Sequence, residues 1–343
     1  MIKLITFHRS SNYGALLQSL SLKEFIEKKL KKKVLMAKYH PKKLLYAEFF
    51  RPLITKKFKK FHQTFKKNIN IYNWKKKAFL TINDNLSNGP KLSVFGSDEI
   101  WNFNNPYHGY DPFFFGKYNC EKKISYAASI GKSCLSMLEN NIKLKKDITF
   151  NLEKFENISV RDLNTFKFVK NLTNKDPEIV LDPTLIYTPE ILGNTKFIKL
   201  RTEKEYCLVY GTVFSKEQQN LIYDFCKKKN LELISVGYYN QWIKNNILEL
   251  NPTNFIDYIK NSTFIFTSMF HGVMFSTKFS KQFLFSMDPI RKNKIETFLD
   301  LLDLNDRKFT NSYDIKDIDY TNVNKKLLPL IEKSQNYLIK NLS

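Results

Sequence analysis

Apolar positions along the chain alternate between two periods. Residues 2–7 form a short β-rich run. Residues 14–30 then place Leu16, Leu17, Leu20, Phe25, Ile26 and Leu30 at helical spacing, which predicts a helix with one buried face. Residues 34–39 are strand-like again. Strand, helix and strand in such close succession mark a βαβ unit and hence a parallel sheet. Further strands are predicted at 92–95, 124–130, 158–160 and 179–181, with a helix over 141–155. Pro183, Pro189 and Gly193 interrupt the pattern, so residues 186–205 are expected to be a linker. Past it the pattern restarts, with strands at 206–210, 231–236, 264–267 and 283–286. Helices are predicted between these strands at 216–229, 254–261 and 270–278, and terminal ones at 292–302 and 325–341.

Two successive βα sets predict an α/β protein of two Rossmann-like domains, with parallel sheets facing across a cleft. The expected domains are 1–185 and 206–343, the second with the terminal helices. The composition agrees with a packed protein. Of 343 residues, 43% are hydrophobic and 15% aromatic, which excludes disorder throughout.

Charge changes the picture more. The formal net charge is +23, and Lys supplies 50 of the 56 basic residues. Such a Lys excess beside abundant Asn and Ile fits a base-composition bias, which raises the charge without any partner. The charge is also local. Residues 28–77 hold 17 Lys and Arg51 against one acid, Glu48. Within that segment Phe58, Phe61 and Phe65 share a helical spacing. The segment has three readings: a solvated face, an anionic membrane surface, or nucleic acid. Packing of the helix onto its own domain is the expected outcome.

The chain shows no apolar run approaching the ~20 residues of a membrane span, and residues 1–11 lack a signal-peptide pattern. The expected location is cytoplasmic. Cys120, Cys134, Cys207 and Cys226 lack CxxC spacing, and the five histidines form no HxxxH pair. Reduced thiols and no metal site are therefore expected. The phosphate-loop and nucleophile-elbow motifs are absent as well.

Candidate chemistry gathers at predicted strand ends. His271 lies at a strand-to-helix turn, where a helix start offers N–H donors to an anion and the imidazole offers a proton. A hydrogen-bonded structural His is the alternative. Arg161 is one of only six arginines. It ends a strand, and suits bidentate contact with a carboxylate or phosphate, or a structural pair with Asp162 or another acid. Asp98 and Glu99 follow the 92–95 strand, where they would orient sugar hydroxyls, act as a base, or cap a turn. Trp101 beside them would pack. Asn12 begins the first helix and fits an N-cap.

Six segments in order resemble the polysaccharide pyruvyl transferase family. They are Asn12-Tyr13-Gly14-Ala15-Leu16-Leu17-Gln18, Gly96-Ser97-Asp98-Glu99-Ile100-Trp101-Asn102 and Tyr126-Ala127-Ala128-Ser129-Ile130-Gly131. The others are Ser159-Val160-Arg161-Asp162, Leu181-Asp182-Pro183-Thr184-Leu185 and Phe270-His271-Gly272-Val273-Met274-Phe275-Ser276. Two departures stand out. Ser268 and Met269 replace the Asp and Ser that usually precede the Phe-His-Gly, and Glu99 replaces a Gln.

The resemblance implies a GT-B-like fold. It also implies transfer of a pyruvyl group from phosphoenolpyruvate to hydroxyls of a sugar, on a cell-surface polysaccharide or its lipid-linked precursor. No cofactor is implied, and phosphoenolpyruvate is a substrate. His271 and Asp98 are the expected catalytic residues. Arg161, Ser268 and Gly272 would bind the donor. Asn12, Tyr13, Glu99 and Trp101 would bind the acceptor. A lipid-linked acceptor would place the enzyme peripherally at the inner face of the plasma membrane. The alternatives are a glycosyltransferase using a nucleotide sugar, a non-catalytic basic protein for membrane or nucleic acid, and an inactive relative.

Overall fold

The computed structural model describes residues 1–39, 41, 58–79, 91–106, 108–193, 204–287, 292–309 and 316–343. The middle of the basic segment and half of the expected linker, 194–203, lie outside the described residues. The chain forms two compact units. One comprises Met1–Glu48, Phe79–Pro189 and Leu328–Ser343; the other comprises Phe49–Ala78 and Glu190–Leu327.

The first unit is built on β1 (Ile2–Ile5), β2 (Val34–Met36), β3 (Leu92–Phe95) and β4 (Lys122–Ser125), in the order β2-β1-β3-β4. All three pairings are parallel. Helix α1 (Tyr13–Glu24) runs between β1 and β2. It is enclosed nearly all round, with Tyr13 to Lys23 buried, the polar Gln18, Ser19 and Ser21 among them. Helix α2 (Phe58–Ala78) precedes β3 in the chain but belongs to the other unit.

Past β4 come α3 (Ile142–Glu153), β5 (Ser159–Val160), α4 (Leu163–Leu172), β6 (Glu178–Ile179) and the short α5 (Pro183–Ile186). Strands β5 and β6 pair in parallel. The predicted strand over 124–130 ends early, because Ala127 turns to a φ of 50°. Residues Tyr126 to Ile130 nevertheless stay buried.

The second unit has β7 (Tyr206–Tyr210), α6 (Lys216–Lys228), β8 (Glu232–Val236), β9 (Asn245–Ile247) and α7 (Pro252–Asn261). It continues with β10 (Phe264–Thr267), α8 (Phe270–Lys278) and β11 (Gln282–Phe285). The sheet order is β11-β10-β7-β8-β9, again wholly parallel. Helices α9 (Lys292–Leu301) and α10 (Tyr320–Leu342) follow.

The units differ from the expected domains in two places. Helix α2 packs on the second unit through the buried Asn68, Ile71 and Trp74. There Lys67 Nζ donates to Gly237 O (3.0 Å), Asn70 Nδ2 to Glu249 O (3.0 Å) and Trp74 Nε1 to Thr253 Oγ1 (2.8 Å). At the other end, the division falls inside α10, and its last residues complete the first unit. Leu181 N donates to Ser334 Oγ (2.9 Å), and Leu338 and Leu342 are fully buried. The start of the predicted linker, 186–205, holds the last residue of α5 and a turn at Glu190–Leu192.

Candidate active site

Sheet order points to where a ligand would bind. In open α/β sheets that is outside the carboxyl ends of the strands, where the strand order reverses. In the first unit the reversal lies between β1 and β3, and residues 6–8 and 96–99 leave the sheet there. In the second it lies between β7 and β10, followed by residues 211–213 and 268–271.

In the first unit the loop after β3 is held from several sides. Thr6 Oγ1 donates to Ser97 O (3.0 Å), and Gln18 Nε2 donates to Thr6 Oγ1 (2.9 Å). The Ser97 hydroxyl donates to Gln18 Oε1. Gly96 adopts a φ of 121°, and a Cβ there would collide with Tyr126 O, so only glycine fits. Asp98 follows at a φ of 80°, a region that Asp tolerates better than most side chains. Its Oδ1 accepts from Glu99 N (2.8 Å).

Arg161 sits beneath this loop with its side chain 2% exposed. Nη2 donates to Asp98 Oδ1 (3.0 Å) and Nη1 to Asp182 Oδ2 (3.1 Å). The structural pair left open by the residues therefore forms, with Asp98 and Asp182 rather than Asp162. Asp182 also caps α5, accepting from Thr184 N and Oγ1 (3.0 and 2.7 Å). Asp162 instead caps α4, accepting from Thr165 N (2.8 Å), while Ser129 Oγ donates to it (2.7 Å). One guanidinium thus ties together three motif segments, and Gln18 ties in a fourth. Gln18 and Asp182 had no assigned role in the sequence reading. The Asp182-Pro183 pair, a helix-start signal, was the one available hint for Asp182.

The expected acceptor residues divide. Tyr13 is 1% exposed and Trp101 is 0% exposed. Trp101 Nε1 donates to Phe114 O (2.9 Å), and its ring lies against Phe115 and Phe155. Both rings are packed in the core of the first unit. Asn12 caps α1, its Oδ1 accepting from Gly14 N (2.9 Å) and Ala15 N (3.3 Å). Glu99 is half-buried and accepts from Asn102 Nδ2 (2.7 Å). Asp98 keeps partial access, with its side chain 16% exposed.

In the second unit, α8 starts directly off β10. Gly272 lies so close to the strand end that a Cβ would collide with Thr267 Oγ1. Thr267 Oγ1 in turn donates to Tyr210 O (2.7 Å) and accepts from Met269 N (3.0 Å). Ser268 is enclosed, and its Oγ accepts from Val213 N (3.2 Å), tying the loop after β7 to the head of α8. Ser268 and Gly272 thus fix the strand-to-helix turn that carries His271. Met269 is the N-cap residue and makes no side-chain cap bond. His271 sits in the first turn, 8% exposed, with its ring against Phe270 and Phe275 (5.2 and 6.1 Å between centroids). The structure brings Asp98 and Arg161 together in one unit and His271, Ser268 and Gly272 together in the other. Among the described residues, no group of three His, Cys, Asp or Glu side chains is placed to hold a metal ion.

The chain resembles solved structures of sugar-nucleotide enzymes of the GT-B type. A protein described as a UDP-N-acetylglucosamine 2-epimerase from Listeria monocytogenes superposes with a TM-score of 0.50 at 10% identity, over 97% of this chain and 89% of that one. The UDP-N-acetylglucosamine 2-epimerase of Neisseria meningitidis gives 0.43 at 8% identity, over 97% and 99%. The ADP-heptose heptosyltransferase II of Escherichia coli gives 0.37 at 11%, over 97% and 99%. The likeness at 0.50 concerns the fold alone, and it is the GT-B-like fold expected from the sequence. No curated protein sequence matches the chain. The family model for polysaccharide pyruvyl transferase, by contrast, matches residues 12–286, a span that holds all six motif segments and both strand-end sites, so the chain belongs to the polysaccharide pyruvyl transferase family.

Proposed function

We propose that this transferase moves the pyruvyl group of phosphoenolpyruvate onto two hydroxyls of a sugar, in a cell-surface polysaccharide or its lipid-linked precursor. The observation that carries this reading is the place of His271. It stands in the first turn of α8, at the carboxyl end of β10 and at the sheet's reversal. Helix starts favour phosphate and carboxylate, and phosphoenolpyruvate carries both.

In the proposed reaction His271 donates a proton to C3 of the enol, which becomes a methyl group and leaves C2 electrophilic. A sugar hydroxyl adds to C2, forming the first C–O bond. The C2–O bond to phosphate then breaks and phosphate departs. A second hydroxyl closes the ketal; of the two hydroxyl protons one ends on the phosphate and the other on the His271 imidazole, which restores the imidazolium. Asp98 orients the attacking hydroxyl or takes its proton. Arg161 positions Asp98 by holding its Oδ1. A lipid-linked acceptor would bring the enzyme to the inner face of the plasma membrane.

The test is phosphate release from phosphoenolpyruvate with a panel of sugar acceptors, run beside nucleotide sugars as donors. A positioned acid contributes about 10²–10⁴-fold. His271→Ala is expected to lose turnover by that order while its melting curve stays close to that of the parent. Turnover from a nucleotide sugar, or an unimpaired folded His271→Ala protein, would sink the proposal.

A further inference from the structure

Helix α2 is amphipathic twice over. Its inner face, with Ile71 at 0% and Trp74 at 5% exposure, is already spent on the second unit. Its outer face nevertheless carries a second apolar stripe. Phe65, Ile69 and Tyr72 are 46%, 42% and 55% exposed, and their spacing puts them on one side of the helix. The sequence pattern had pointed to Phe58, Phe61 and Phe65 instead; Phe58 and Phe61 have side chains outside the described residues, and only Phe65 belongs to the observed stripe. Lys66, Lys76 and Lys77 are exposed along the same side, with Lys76 Nζ lying 4.6 Å over the Tyr72 ring. Across its 21 residues the helix holds seven lysines and no acid. Among the described residues, Glu249 lies 3.7 Å from Lys66.

Exposed apolar side chains in a row signal a contact surface. A second copy fits poorly, because a two-fold contact would press this lysine-rich face against itself. Nucleic acid would use the lysines but not the Ile69 side chain. An anionic lipid surface uses both: the lysines meet headgroups while the stripe enters the headgroup–acyl boundary. At 1.5 Å per residue the helix offers about 31 Å lying along such a surface. Among the described residues no helix is long and apolar enough to cross a membrane, so the contact would be peripheral.

We propose that the outer face of α2 docks on anionic phospholipid, through Phe65, Ile69 and Tyr72 with Lys66, Lys76 and Lys77. The inference deepens the reading of a lipid-linked acceptor and is tested apart from it. The full chain is co-sedimented with phosphatidylcholine vesicles with and without phosphatidylserine, at low and raised salt. Binding should require phosphatidylserine and weaken with salt. Both Lys66→Glu/Lys76→Glu/Lys77→Glu and Phe65→Ser/Ile69→Ser/Tyr72→Ser should weaken it at least about tenfold. Because these positions are exposed, melting curves should not move; if one variant fails to fold, the other carries the test. Phosphate release with a short soluble acceptor should be unchanged in both. Equal binding to both vesicle types would overturn the proposal. So would variants that bind like the parent, or an apolar variant that only disperses a dimer. A failed donor assay with intact vesicle binding counts against the reaction and not against this surface.

Discussion

Arg161 balances two carboxylates, so changes on its two sides are expected to be unequal. Arg161→Met leaves Asp98 and Asp182 facing each other without a counter-charge, and breaking a buried pair this way costs about 3–5 kcal/mol. Asp98→Asn keeps a side chain suited to its φ of 80° and leaves Arg161 paired with Asp182, so about 1–3 kcal/mol is expected. Arg161→Lys is the functional probe. A lysine cannot hold both carboxylates in one plane. If Arg161 positions Asp98, turnover falls while donor affinity is kept, and a calorimetric titration with phosphoenolpyruvate separates the two. A large loss of donor affinity would return Arg161 to the donor site. His108 contributes a pH dependence of stability. Burial lowers its pKa, against smaller opposing effects of Gly109 and Asp111. The unfolded chain therefore binds a proton near pH 6.5 that the folded chain resists, and stability falls as pH drops below that value. His108→Gln should flatten the decline in urea midpoint between about pH 7 and 5; an unchanged slope would refute this.

Asn12 shows how one motif residue serves an element. Its side chain caps α1 through Gly14 N and Ala15 N. Asn12→Ala should cost about 1 kcal/mol, and Asn12→Ser should restore most of it. Denaturant melts measure the stability, and turnover decides the role. If Asn12→Ser recovers stability but not turnover, Asn12 also touches the acceptor. At this scale the sequence was largely legible, since apolar period marks which segments are buried strands and helices. Its failures have local causes. Strand β9 (Asn245–Ile247) begins with two asparagines and gives no β signal. The 124–130 run is apolar because it is buried, not because it is all strand. Legibility fell further in the site. Asp98, Arg161 and His271 stood out one by one at strand ends. The supporting Gln18 and Asp182 did not, because pairing across 79 residues (Ser97 with Gln18) and 21 residues (Arg161 with Asp182) leaves no periodic trace.

The division into units follows packing and not chain order, and this is where sequence pattern is weakest. Helix α2 and the end of α10 each join the unit that buries their apolar face. The consequence is testable by ending the chain at Leu327. That removes the fully buried Leu338 and Leu342 and the nearly buried Tyr337. It also removes the bonds from Leu181 N to Ser334 Oγ and from Gln335 Nε2 to Ile186 O (both 2.9 Å). Burying each leucine is worth about 1.5–3 kcal/mol, so the loss approaches the 5–15 kcal/mol by which domains are stable at all. The three tryptophans report the outcome by unit: Trp101 is in the first, and Trp74 and Trp242 are in the second. With tryptophans replaced singly by Phe, the shortened chain should lose the buried signal of Trp101 while Trp74 and Trp242 keep theirs. Trp74 is the sharper probe, because it lies before β3 in sequence but is hydrogen-bonded to Thr253. Had chain order set the units, Trp74 would fail together with Trp101. Retention of all three signals would instead show that the end of α10 is dispensable to the first unit.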